Sequence, residues 1–238
     1  MAALTFVQAN TGIAVASSLA VAYSSNTTAG SYLLAVVGIR VGAGTLTNVT
    51  SPGNAWTQVG GKITTPGLAG TAQDVYLYQC AKNVTNGAQT VTFTASGSSV
   101  LLGGIAEFTG QAIISPLDAQ VSNVGTSSVT GTNMIASPVL ASSANEEIIV
   151  IGNQNIGGTI SSGSGFTVPS TMNGGVSGSF LEYIAKGTSG SYGDTFSSSS
   201  GALTDYGVFT LAVRSTSTPS GGGNGMNGSG LLRLLGVD

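Results

Sequence analysis

The chain has 238 residues, and only 6% of them are charged, against about 25% in an average soluble domain. Its six Lys and Arg residues are scattered and the net charge is −3, which argues against nucleic-acid binding, because that needs basic side chains clustered along a phosphate path. There is no histidine, which excludes His-based triads, His metal sites and the commonest general base, and a single cysteine, Cys80, which excludes an intrachain disulfide.

In chain order, strand signals fall at residues 4–10, 18–23, 32–41, 56–59, 74–81, 89–95 and 100–109, with Gly, Asn, Pro or Ser in nearly every gap. β-Branched enrichment and the alternation of Val91-Thr-Phe-Thr favour antiparallel pairing, and no segment carries a capped helical period. Cys80, within Val75-Tyr-Leu-Tyr-Gln-Cys80, reads as a small core hydrophobe. A second series then follows at residues 119–124, 133–140, 147–154, 165–168, 179–185, 194–198 and 206–214.

The second series repeats the first. Tyr32-Leu-Leu-Ala-Val-Val-Gly38 returns as Glu147-Ile-Ile-Val-Ile-Gly152, and Tyr78-Gln-Cys-Ala-Lys-Asn-Val-Thr-Asn-Gly87 returns as Glu182-Tyr-Ile-Ala-Lys-Gly-Thr-Ser-Gly190. Trp56 and Phe166 fall at matching places, which marks both as core plugs, and both series close on a strand, at 104–108 and 206–213. The order of these landmarks predicts an all-β, antiparallel, jelly-roll-like β-sandwich with two internally duplicated halves, residues 1–110 and 111–214. Two tandem immunoglobulin-like sandwiches also fit. The short, partly apolar seam Gln111-Ala-Ile-Ile-Ser-Pro-Leu-Asp118 favours one fused sandwich.

Residues 215–230 are a Gly/Ser-rich linker by composition, and 231–238 form a hydrophobic tail. Its leucines, Leu231, Leu232, Leu234 and Leu235, are the expected assembly-docking residues, since leaving them in water forgoes roughly 1.5–3 kcal/mol each. The first residues lack the basic region and apolar run of a signal peptide, and no stretch is long and apolar enough to insert into a membrane.

The carboxylates are dispersed, so no catalytic, cofactor or metal residue is expected. Glu146 and Glu147 are adjacent at a strand start and read as a solvated strand end, while Glu107 and Glu182 read as outward-facing strand residues. Asp74, Asp118, Asp194 and Asp205 stand singly, without Ca²⁺-loop spacing. Among the aromatic rings, Tyr192 in the loop-like Gly190-Ser-Tyr-Gly-Asp194 is the candidate glycan contact.

Taken together, residues 33–38, Trp56-Thr-Gln-Val59, the run from Val75 to Thr94, Ala106-Glu-Phe-Thr-Gly110 and Ser115-Pro-Leu-Asp118 resemble jelly-roll-like β-sandwich domains. These are the domains of phage structural proteins and of bacterial extracellular adhesion and display proteins. The resemblance covers residues 4–214 and implies a non-enzymatic virion surface protein, a head decoration or a tail or fibre adhesin. Its implied partners are other virion proteins or copies of itself, and surface glycans. A carbohydrate-binding module of a bacterial extracellular protein is the alternative.

Overall fold

The computed structural model describes residues 4–69, 71–127, 134–155, 158–175, 178–199 and 203–216. Among these residues the protein is antiparallel β-structure with one 3₁₀ turn, Ser170–Met172, and no helix long and apolar enough to cross a membrane.

The first half contributes β1 (Thr5–Ala22), β2 (Tyr32–Arg40), β3 (Leu46–Thr50), β4 (Thr57–Gln58), β5 (Ile63–Thr64), β6 (Gln73–Cys80) and β7 (Thr90–Thr109). Their order is β1-β7-β2-β6-β4, with β3 on β7 and β5 on β6. The predicted segments 4–10 and 18–23 are one strand, β1, and 89–95 and 100–109 are one strand, β7. The two long strands stay paired around a corner, where the register jumps from Ala16↔Ser99 to Ser18↔Thr94. Bulges bend paired strands without breaking them. The bend brings Leu19 and Val21 of β1, Val49 of β3 and Val91 and Phe93 of β7 over Leu33, Ala35, Val37 and Ile39 of β2, closing one core. At Gly103 the folded-over layer comes so near that a Cβ would lie 2.8 Å from Leu19 Cδ2 and 2.9 Å from Phe93 Cε2.

The second half contributes β8 (Leu117–Ser127), β9 (Met134–Ala141), β10 (Glu146–Gln154), β11 (Gly158–Ser161), β12 (Gly174–Gly175), β13 (Ser179–Lys186), β14 (Gly190–Ser198) and β15 (Thr204–Arg214). Sheets β13-β10-β15-β8 and β12-β11-β14-β9 face each other across a core that includes Met134, Val139, Ile148, Val150, Phe180, Phe196 and Val208. The predicted strand at 165–168 is absent, and only the bridge Thr167↔Tyr183 forms there.

A third core joins the two halves. Tyr32, Leu34, Val36, Leu77 and Phe108 of the first half meet Ile149, Ile151, Leu181, Phe209, Leu211 and Val213 of the second. Successive side chains of a strand point to opposite faces. On β2, therefore, Leu34 and Val36 enter the central seam while Leu33, Ala35 and Val37 enter the first sandwich; β10 and β15 divide their side chains in the same way. Both faces of these inner strands are covered, which is why their sequences are unbroken apolar runs and not alternations.

The inner sheets run β1-β7-β2-β6 and β8-β15-β10-β13, and each outer layer sets a middle strand, β7 or β14, between two neighbours.

Candidate functional site

Most acidic side chains bind loops to strands. Glu107 is fully buried and accepts bonds from Gln8 Nε2 and from the Thr28 N–H, both 2.7 Å. Asp205 accepts the Ala69 N–H at 2.9 Å, Thr126 Oγ1, and Asn155 Nδ2 at 3.3 Å, and so pins a first-half loop to the second half. Lys62 pairs with Asp74 at 2.6 Å, and Arg214 pairs with Asp118 and lies 3.8 Å from Glu146.

Four sequence expectations are overturned here. Glu107 and Glu182 do not face outwards, and Glu146 and Glu147 are not a solvated strand end: their exposures are 0%, 0%, 1% and 3%. All four lie on β7, β13 or β10, strands of sheets packed on both sides, so neither direction of the pleat points a side chain straight into bulk water. Glu146 points towards the second core and Glu147, one residue on, towards the central seam.

Glu182 and Asp194 face each other between β13 and β14. Among the described residues no donor reaches either Glu182 carboxylate oxygen at hydrogen-bonding geometry, a setting that favours the protonated acid beside Asp194. Burial is the largest cause that raises the Glu182 carboxyl to about 9, followed by the Asp194 charge, with the nearby Gly163 N–H opposing. That N–H bonds Asp194 Oδ2 at 2.9 Å, and a Cβ on Gly163 would fall on the Asp194 carboxylate.

Glu147 occupies a different setting. It lines an open cleft of about 400 Å³ at the seam, together with Leu4, Thr5, Phe6, Gly165, Thr167, Tyr183, Ile184 and Ala185. Phe6 and Tyr183 stack with centroids 5.2 Å apart and planes 18° from parallel, and Phe108 meets Phe6 edge-on at 5.7 Å. Burial pushes the Glu147 carboxyl up to about 7. Sequence reasoning missed this cleft because Phe6 and Tyr183 are far apart along the chain. The one available signal was the run Glu-Ile-Ile-Val-Ile after Glu146, which leaves a doubly covered strand nowhere to expose its acids.

The remaining candidates are dispersed. Tyr192 is on strand β14 and not on a loop; it is half-buried, its hydroxyl donates to Thr188 O at 2.9 Å, and Lys186 Nζ stands 5.1 Å over its ring. Trp56 packs against the first core and donates to Ser51 Oγ at 3.0 Å, while Phe166 and Cys80 are buried core residues, as expected. Among the described residues no three of Cys, Asp and Glu converge as a metal site. Leu231, Leu232, Leu234 and Leu235 lie outside the described residues. In comparisons with known protein families, curated proteins and solved structures, nothing matches this chain.

Proposed function

We propose that the protein is a non-enzymatic structural protein of a virion surface, a rigid β-body displayed as a head decoration or a tail or fibre adhesin and tethered through its C-terminal segment. The observation that carries this reading is the central core. Two sandwiches joined by a seam that includes Leu34, Phe108, Ile149 and Leu211 form a stiff block rather than two hinged modules. Its charged groups also serve it internally: Asp205, Arg214 and Glu107 hold loops and strands together.

The matching strand order of the two inner sheets supports reading the halves, 1–110 and 111–214, as a duplication of one jelly-roll-like unit. At the end of β15 the chain lies beside the inter-half connection, where Ser215 bridges Gln111 and the Thr216 N–H bonds Gly110 O at 2.7 Å. A Gly/Ser-rich linker from that point can deliver Leu231, Leu232, Leu234 and Leu235 to a neighbouring subunit. About 15 flexible residues have an r.m.s. span of roughly 20 Å.

Truncation after Thr216 tests the proposal. The shortened protein is expected to keep its circular dichroism and melting profile but to lose incorporation into particles, measured by co-sedimentation. If the full-length protein is absent from purified particles, or if truncation leaves incorporation unchanged, the reading fails.

A further inference from the structure

The Glu147 cleft has a chemistry that a display role does not use. Glu147 is 3% exposed, and burial is the one influence that shifts its carboxyl; among the described residues no hydrogen bond to that carboxylate is found. The cations on neighbouring strands are directed elsewhere. Lys186 stands over the Phe166 and Tyr192 rings at 5.9 and 5.1 Å, and Arg214 is held by Asp118 and Glu146 on the opposite face. Among the described residues, the start of β1 and the residue before it bring Leu4, Thr5 and Phe6, and the loop above brings Gly165 and Thr167. The titratable group facing Glu147 is Tyr183, whose phenol is raised by burial and then by the Glu147 charge.

A nearly buried carboxylate beside a cleft, with no cation among the described residues paired to it, is half of an ion pair. The walls define the other half. Phe6 and Tyr183 supply aromatic rings, which favour a cation, and Leu4 and Ile184 supply aliphatic surface. One carboxylate is too few ligands for a hard metal ion, which takes six or more oxygens. An ammonium on an alkyl chain satisfies both the charge and the apolar walls.

We propose that this cleft binds a primary alkylammonium group, with Glu147 as its counter-ion and Phe6 and Tyr183 as its aromatic wall. The group belongs either to a free amine or to a lysine side chain of a partner. Binding requires ionised Glu147, so it strengthens as the pH rises through the range in which that carboxyl titrates.

The test is an NMR titration of the full chain, following the Ile184 methyl and the Glu147 carboxyl carbon, with n-butylammonium, a doubly capped lysine and n-butanol. At about pH 8 both amines should give saturable shifts, and n-butanol should bind at least roughly tenfold more weakly. Affinity should fall roughly tenfold or more at about pH 5.5, because Glu147 is then protonated. E147Q should lose at least as much. Saturating butylammonium should also move the wild-type Glu147 titration to lower pH, a readout that stands even if the variant does not fold. A capped lysine that binds tighter than butylammonium points to a partner's side chain, and the reverse points to a free amine. The proposal is overturned if neither amine gives a saturable shift up to about 50 mM. It is equally overturned if butanol binds as well as the amines, or if the Glu147 titration is unmoved by saturating amine.

Discussion

At the scale of single residues, the buried glutamates set an unusual pH dependence. An unfolded glutamate ionises near 4.5, whereas in the folded chain Glu147 holds its proton to about 7 and Glu182 to about 9, with burial the leading cause in both. Between those limits the folded state keeps protons that the unfolded state has released, so stability falls as pH rises. The contribution is fully present only below the unfolded value, and it is lost up to about 7 for Glu147 and about 9 for Glu182. At 1.36 kcal/mol per pH unit, the Glu147 loss is about 3 kcal/mol. Wild-type melting temperature should therefore decline from about pH 5 to about pH 8.5, with E147Q making the decline shallower below about pH 7 and E182Q making it shallower there and removing it above about pH 7. A wild-type profile that is level or rises across this range would refute the assignment. None of this was legible in the sequence, where a glutamate at a strand start reads as a solvent residue until both faces of its sheet are known to be covered.

At the scale of elements, the inner strands were the most legible part of the chain. Unbroken runs such as Leu-Leu-Ala-Val-Val at β2 and Ile-Ile-Val-Ile at β10 have no polar face, and the structure gives them none. The long strands β1 and β7 were read as two strands each, because Ser17 and Ser96-Gly-Ser98 look like turn residues. They are corner residues at a bulge, where the β1–β7 pairing skips and then resumes from Ser18↔Thr94. The strand β3 was missed because only Val49 of its five residues is buried, so its apolar signal is one side chain deep. The packing predicts unequal penalties. Leu34→Ala, in the fully buried seam face of β2, should destabilise the protein by about 3–5 kcal/mol in urea unfolding. Ile135→Ala, 49% exposed on edge strand β9, should change stability by less than about 1 kcal/mol. Equal effects would mean that the central seam is not a packed core.

At the scale of the whole molecule, the seam makes each half depend on the other. A fragment ending at residue 111 would expose Tyr32, Leu34, Val36 and Phe108 as one apolar face, a surface that promotes association or aggregation. Each half expressed alone should therefore bind a hydrophobic dye and self-associate, and co-expressed halves should form a one-to-one complex that melts cooperatively. Two halves that are each monomeric and stable would show the seam to be dispensable. The sequence by itself determined the all-β class, the succession of strands and the recurrence of landmarks, because periodicity, turn residues and apolar runs are local properties of the chain. Only the tertiary structure decided that the two inner sheets pack on each other, that Glu107, Glu146, Glu147 and Glu182 are inside, and that Phe6 meets Tyr183 beside a lone carboxylate. Those outcomes depend on which faces of distant strands cover one another, and a strand's own residues do not record what lies across its face.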